Sequence, residues 1–361
     1  MRTELFDFVL PESRIALRPV SPRDSAKLLV VRPQVRAPQA TEFEDHTMRD
    51  LPALLRRGDA VVVNDTKVLA VNLHGRRIGR GEREPPVAAT LIKRLDGSRW
   101  LALVKPAKRL VPGDVVRFGA EGRVCFVDQL DATVERKAET GEVTFAFAFS
   151  DAALDEALSE RGNMPLPPYI VSRREVDEQD RSDYQTVFAQ TEGSIAAPTA
   201  GLHFTERLTA ALREAGIAIY RVTLHVGPGT FLPVKTEDTG DHRMHPEWGS
   251  VSAETATALN ETRRSGGRII AVGSTSLRLL ESAAADGLLV PFAGETALFV
   301  TPGYRFHVVD ALLTNFHLPR STLFMLVCAF CGLDTMRRAY SHAIDAGYRF
   351  YSYGDACLLF R

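Results

Sequence analysis

The sequence predicts an α/β protein: a main α/β domain with an inserted small β-barrel domain. Two observations carry this expectation. Towards both ends of the 361-residue chain, apolar runs of four or five residues lead into glycines or hydroxyl residues. Segments with apolar positions three and four apart then follow, which is the pattern of strand–turn–helix units. Between residues 66 and 152, short β-branched and aromatic pieces instead follow one another between turn signals with no helical period, the texture of a small barrel or sandwich. The expected division is therefore 1–65 and 153–361 for the main domain, the second part carrying the site motifs, and 66–152 for the insertion.

Composition sets outer limits. Hydrophobic residues make up 45% of the chain and charged residues 25%, an ordinary globular balance that excludes wholesale disorder. With 44 Lys and Arg against 45 Asp and Glu, net charge selects no partner. Its distribution says more. From Lys67 to Arg117 stand 12 basic residues against 4 acidic ones, the footprint of a surface for a polyanion such as RNA, or equally of a solvated strand-rich face. Four cysteines are present, at 125, 328, 331 and 357. The Cys328–Cys331 pair lies in the apolar run TLFMLVCAFCG without a second ligand pair, so both read as buried hydrophobes rather than as a zinc or redox site. The opening MRTELFDFVLPESR lacks the apolar core of a signal peptide, and no apolar run reaches membrane-span length. The expectation is a cytoplasmic protein with no membrane contact.

Taken in order, Lys27 to Val31 reads as a strand and Met48 to Arg57 as a helix stopped by Gly58. Ala60 to Val63 is a continuous apolar strand running into Asn64 and Asp65. Polar residues at such a strand exit stand where clefts of open α/β sheets lie, although turn chemistry accounts for them as well. The barrel pieces follow: VLAVNLHGRR, VAATLIKRL, RWLALVKPA, DVVRFG, RVCFVDQL, ATVERKA and EVTFAFAF. Asp151 to Arg161 is helical, and MPLPPYI (164–170) is extended because each proline restricts itself and its predecessor.

The stretch Tyr184 to Thr205, YQTVFAQTEGSIAAPTAGLHFT, sets hydroxyls, an acid and His203 among small residues, either a pocket wall or a connection with tight turns. Thr205 can cap a helix over Glu206 to Ala215, and Ile217 to Val226 reads as a strand ending in GPGTF, with Gly227 and Gly229 at the turn. His242 and His245, with His203 and His225, lack the spacing of a metal site, so no metal is expected. A helix near Ala253 to Arg264 and the strand Arg268 to Val272 lead to GSTS and a further helix bearing Arg278. Strand, glycine, hydroxyls and helix N-terminus form a plausible anion site, and a simple N-cap is the other reading. TALFVTPGYRF reads as strand and turn, and Asn315 and His317 form a polar break before a helix capped by Ser321 or Thr322. The helix Thr335 to Ala346 and a strand Tyr348 to Tyr353 close the chain.

Together, NDT (64–66), MPLPPYI, DYQTVFA, AAPTAGLHFT, TLHVGPGTF, HRMHPE, AVGSTSLR, TPGYRF, LLTNFHLPRSTL and YRFYSYGDA resemble the S-adenosylmethionine:tRNA ribosyltransferase-isomerases of queuosine biosynthesis, nearly end to end. Asn72, where arginine is usual, a missing acid near Ala88, Ser274 for threonine and Cys357 for methionine depart from that pattern. The resemblance implies a transferase, with S-adenosylmethionine as co-substrate and no prosthetic group. Its ribosyl moiety would pass to 7-aminomethyl-7-deazaguanine at the wobble position of tRNA and be isomerised, giving epoxyqueuosine-tRNA and freeing adenine and methionine.

In the mechanism this implies, a base removes a proton from the 5′ carbon beside the sulfonium. A neutral imidazole suits that task, and the expected catalytic residues are His203 first, then His317, with Asp183, Glu247 or Asp310 for departing adenine. Tyr184 or Phe204 would face the sulfonium, and Arg278 with Ser274 and Thr275 would hold the methionine carboxylate or a tRNA phosphate. Asn64, Asp65, Gln185, Thr199, Thr205, Gly227, Gly229 and Asn315 complete the expected substrate contacts. Arg76, Arg77, Lys105, Lys108 and Arg109 would track tRNA phosphates. The expected state is a monomer. Two rivals remain at this stage: an S-adenosylmethionine-dependent RNA methyltransferase, disfavoured by the lack of a glycine-rich Rossmann opening, and a non-catalytic RNA-binding protein.

Overall fold

The computed structural model describes residues 1–33, 42–81, 83–119, 130–139, 141–227 and 236–361. Cys125, Gly229 and residues 123–129 of the expected strand RVCFVDQL lie outside the described residues. The protein is a mixed α/β structure that divides into two compact units, Met1–Lys67 with Asp183–Arg361, and Val68–Ser182. Residues 153–182, expected with the main domain, group with the barrel in this division.

The larger unit is built on a nine-stranded sheet. Its order is Phe292–Thr296, Glu247–Val251, Ala218–Leu224, Ala60–Asn64, Ile269–Val272, Ala311–Asn315, Ala356–Phe360, Lys27–Val31 and Phe43–Thr47. The four strands from Ala218–Leu224 to Ala311–Asn315 are mutually parallel, so their carboxyl ends leave the sheet along one edge. The sequence reason is plain in AVVVN and IIAV, which are apolar at every position but the final Asn64 and buried throughout, as strands covered on both faces must be. Alternation divides them between two cores. Ala60, Val62, Ile269, Ala271 and Leu312 face one cluster with the apolar helix Thr322–Cys331. Val61, Val63, Ile270, Val272 and Leu313 face the other with Phe188, Phe204 and Leu208. Cys328 and Cys331 belong to the first cluster as free thiols, and burial pushes the Cys328 thiol up to about 12.

The smaller unit holds a closed six-stranded barrel in the order Glu142–Phe147, Arg99–Lys105, Pro86–Arg94, Asn72–Ile78, Val115–Phe118 and Leu130–Lys137. Adjacent strands are antiparallel, and closure removes exposed edges. At Gly75 a Cβ would stand 2.2 Å from the Arg117 carbonyl oxygen, so the two strands approach this closely only with glycine there.

Three local expectations are corrected. The segment Met48 to Arg57 forms a 3-10 turn Met48–Asp50 and one short helix Leu51–Leu54, because its backbone leaves the helix at Leu55 (φ −97°, ψ 171°). The strand expected in TALFV lies earlier, at Phe292–Thr296. Tyr348 to Tyr353 is not a strand; Asp355 accepts hydrogen bonds from Arg349 N (2.8 Å) and Lys27 N (3.2 Å). That carboxylate folds the segment back as a loop, and the closing strand is Ala356–Phe360.

Candidate functional site

Asn64, His225, Gly273 and Asn315 stand at or just beyond the carboxyl ends of the four parallel strands, the position where open α/β sheets bind ligands. Asp310 does not. It precedes Ala311–Asn315, roughly 16 Å away along a five-residue strand, where Oδ2 accepts from Ile269 N at 2.8 Å and Arg361 lies 3.6 Å off.

Several residues expected to touch substrate are taken up in building this edge. Asn64 donates to Leu224 O (2.8 Å), and its Oδ1 accepts from Leu224 N (3.0 Å) and Thr66 N (3.1 Å). Asp65 accepts from the Thr223 hydroxyl at 2.7 Å. Thr199 donates to Asn315 Oδ1 at 2.9 Å, while the Asn315 amide reaches Tyr351 O at 3.1 Å. Thr205 caps the helix Glu206–Glu214 by accepting from Leu208 N and donates to Asp24. Phe204 is fully buried against Phe188. Tyr184 is also fully buried, edge-on to Tyr353 with ring centroids 6.1 Å apart. Gln185 contributes its carbonyl oxygen, 3.5 Å from the Arg23 guanidinium.

The helix Gly273–Ser282 begins at the end of its strand with no side chain capping it, so its first N–H groups and positive dipole end are directed at the edge. Gly273 permits the turn with φ +85°. Within the first turn, Thr275 Oγ1 and Ser276 Oγ are buried without a hydrogen-bond partner among the described residues. One turn on, Arg278 donates from Nη1 to Glu247 (2.6 Å) and from Nε to Leu298 O (2.8 Å), while Nη2 is buried with no hydrogen-bond partner among the described residues. The second Glu247 oxygen accepts from Gly227 N at 2.9 Å. An N-terminal helix turn, two unused hydroxyls and an unused guanidinium nitrogen are what a bound oxyanion would satisfy. Ser274 lies in this turn.

The histidines divide by access. His203 sits in the turn Thr199–His203 with Nδ1 3.0 Å from Ala200 O and Nε2 3.0 Å from Gly354 O. Burial lowers its pKa, the two carbonyls and Asp355 oppose that shift, and Arg349 adds to it. The void beside it, lined by Arg23, Leu202 and Tyr353, is only about 10 Å3. His317 is enclosed, with Nε2 3.0 Å from the Thr314 hydroxyl, and burial lowers its pKa to about 3. Asp183 faces two guanidinium groups, Arg18 at 3.6 Å and Arg23 at 3.5 Å, and its Oδ2 has no hydrogen-bond partner among the described residues.

Sequence reasoning gave His225 no role beyond a rejected metal site and did not single out Trp248. His225 is half-buried, held at Nδ1 by the Thr66 hydroxyl (2.8 Å), with burial lowering its pKa against the opposing Asp65 charge. Its ring stacks on Trp248 at 5.3 Å and 20°. A Cβ at Gly193 would lie 2.8 Å from the imidazole, so only glycine admits the ring there. Position directly after an apolar strand was the one sequence signal. Among the described residues, no group of three His, Cys, Asp or Glu side chains could hold a metal ion, and no helix is long and apolar enough to cross a membrane.

In the barrel unit, Arg77 and Arg80 both donate to Arg109 O at 3.2 Å, and Arg76 donates to Glu84 O at 3.2 Å. Lys105 ends its strand, and Lys108 and Arg109 follow in the turn Ala107–Arg109. Arg80, Arg94, Arg99 and Arg117 are paired with Asp114, Asp155, Asp96 and Asp131. No ion pair involves Arg77, Lys105, Lys108 or Arg109 among the described residues.

Residues 3–359 match the family model described as "Queuosine biosynthesis protein". An S-adenosylmethionine:tRNA ribosyltransferase-isomerase of Rhodopseudomonas palustris (strain BisB5) is 67% identical, the match covering 100% of this chain and 99% of that protein. The one of Bradyrhizobium diazoefficiens is 66% identical over 100% and 97%. Among solved structures, the S-adenosylmethionine tRNA ribosyltransferase of Thermotoga maritima is similar at 32% identity over 99% of this chain and 100% of that one, with a TM-score of 0.55.

Proposed function

The chain belongs to the queuosine biosynthesis protein family, and from that membership we propose that it is an S-adenosylmethionine:tRNA ribosyltransferase-isomerase. The reaction assigned is transfer and isomerisation of the ribosyl moiety of S-adenosylmethionine onto 7-aminomethyl-7-deazaguanine at the tRNA wobble position, with loss of adenine and methionine. The single observation that carries this reading is full-length identity of 67% to a relative of that name.

The unsatisfied groups at the start of Gly273–Ser282 suit the methionine carboxylate of the donor: Thr275 Oγ1, Ser276 Oγ and Arg278 Nη2 each lack a partner among the described residues. Glu247 is committed to Arg278 and Gly227, so its role is to orient the guanidinium rather than to meet adenine. Asp183, which keeps Oδ2 outside any hydrogen bond, is the carboxylate assigned to the adenine side. Removal of a proton from the 5′ carbon requires a lone pair that the donor can reach. Carbonyl contacts at both ring nitrogens close off His203, and His317 is enclosed. His225, half-buried and with only Nδ1 hydrogen-bonded among the described residues, is the imidazole to which the base role passes, and His203 and His317 support the edge. On the acceptor side, Arg76, Arg77, Lys105, Lys108 and Arg109 are assigned to tRNA phosphates.

Turnover with S-adenosylmethionine and a tRNA carrying the precursor base tests the function. Release of adenine and methionine supports it; S-adenosylhomocysteine would identify a methyltransferase, and binding without turnover an RNA-binding protein. A positioned base is worth roughly 10²- to 10⁴-fold, so His225→Gln should lose that much in kcat while His203→Ala keeps most of it. The reverse pattern would return the base to His203.

A further inference from the structure

Trp248 is one of only two tryptophans in the chain, and its setting is unlike that of the other. Trp100 is buried in the barrel. Trp248 is 43% exposed although it stands beside Glu247, one of the most enclosed acids of the site edge. Alternation along Glu247–Val251 explains the contrast: Glu247, Gly249 and Val251 point inward, and Trp248 points out. The exposed ring is nevertheless held in place. His225 stacks on it, and the His225 backbone N–H donates to Trp248 O at 2.9 Å. The imidazole is itself fixed by Thr66 at 2.8 Å and by its close approach to Gly193, whose φ of +143° suits glycine. A surface ring immobilised in this way has already lost the freedom that binding would cost it.

We propose that Trp248 is the stacking platform for the target nucleobase extruded from the RNA, a site that rests on the function proposed above. A flat, sequence-tolerant π face is the usual receptor for an unstacked base. The RNA base is favoured over the donor's adenine by exposure. The groups assigned to the donor, Thr275 Oγ1, Ser276 Oγ and Arg278 Nη2, are all buried, whereas Trp248 opens to solvent, where a base carried by a macromolecule arrives. Gly193, Thr66 and His225 act as positioning residues for the ring, and Trp248 alone touches the base.

The test uses tryptophan fluorescence of the full-length protein. An anticodon stem-loop bearing the 7-deazaguanine precursor should quench emission, and the same stem-loop with an abasic wobble position should not. S-adenosylmethionine and free adenine should leave emission nearly unchanged, and Trp248→Phe should abolish the response. Stacking on one aromatic residue corresponds to roughly 5- to 150-fold in affinity, so Trp248→Ala should raise KM for the stem-loop by that factor. KM for S-adenosylmethionine should stay within about twofold, with Trp248→Phe largely restoring the RNA value. Quenching by adenine or by the donor would assign the platform to the donor, and equal responses to the abasic and intact loops would overturn base stacking. Wild-type turnover with an unresponsive Trp248 sinks only this proposal, whereas absent wild-type turnover sinks the function on which it rests.

Discussion

Replacing Thr275 by valine separates a binding role from a structural one, because the two predict opposite effects on the free protein. The Thr275 hydroxyl oxygen is buried in the first turn of Gly273–Ser282 without a hydrogen-bond partner among the described residues. An unsatisfied buried polar group costs about 1–3 kcal/mol. Valine keeps the β-branched shape and removes the hydroxyl, so the unliganded variant should be more stable, by about 1 kcal/mol at the low end of that range. If the hydroxyl donates to the donor's carboxylate, a charge-assisted bond of about 1.5–3 kcal/mol is lost on binding. The dissociation constant for S-adenosylmethionine should then rise roughly 10- to 150-fold. Urea unfolding with and without S-adenosylmethionine reads the first effect, and calorimetric titration reads the second. Saturating donor at about 100 times Kd adds roughly 2.7 kcal/mol to the wild type, and at the same concentration about half of that increment should vanish from the variant at the low end of this range and about nine-tenths at the high end. A Thr275→Val protein that is less stable yet binds the donor normally would refute the reasoning, since the hydroxyl would then serve the helix.

Two further outcomes are expected. Charge reversal of Arg76, Arg77, Lys105, Lys108 and Arg109 to glutamate should weaken tRNA binding and flatten its salt dependence by about 0.7–0.9 in log–log slope for each phosphate no longer neutralised; unchanged affinity in a filter-binding titration would move the RNA surface elsewhere. Burial works to raise the Asp24 pKa, but Arg207, Thr205 and Arg49 outweigh it and hold it below the usual aspartate value. A depressed folded-state pKa contributes stability that is present above the unfolded value of about 3.9 and lost as pH falls through the folded one, so acid unfolding of Asp24→Asn should lose part of its pH dependence below about pH 5. An identical acid limb in wild type and variant would remove Asp24 from that account.

Much of the fold was legible because its signals are local. Ala60 to Val63 and Arg268 to Val272 read as strands, the recurrent short pieces of 66–152 announced a barrel, Thr205 is the cap that its position indicated, and of Ser321 and Thr322 the first is the cap. The motif order was enough to suggest the family. Which side chains remain available was not legible, because availability depends on partners far away in sequence. Asn64 and Leu224 are 160 residues apart, and His203 and Gly354 are 151; only folding sets the carbonyls that occupy both ring nitrogens of His203. Asp310 and Asn315 look like near neighbours in the chain, yet one strand length places them on opposite edges of the sheet. The sequence by itself determined the architecture and the chemistry on offer along one edge. The tertiary structure decided which groups there are already satisfied and which, at Thr275, Ser276 and Arg278, keep a buried polar atom with no hydrogen-bond partner among the described residues, because burial and hydrogen bonding are properties of the packed chain.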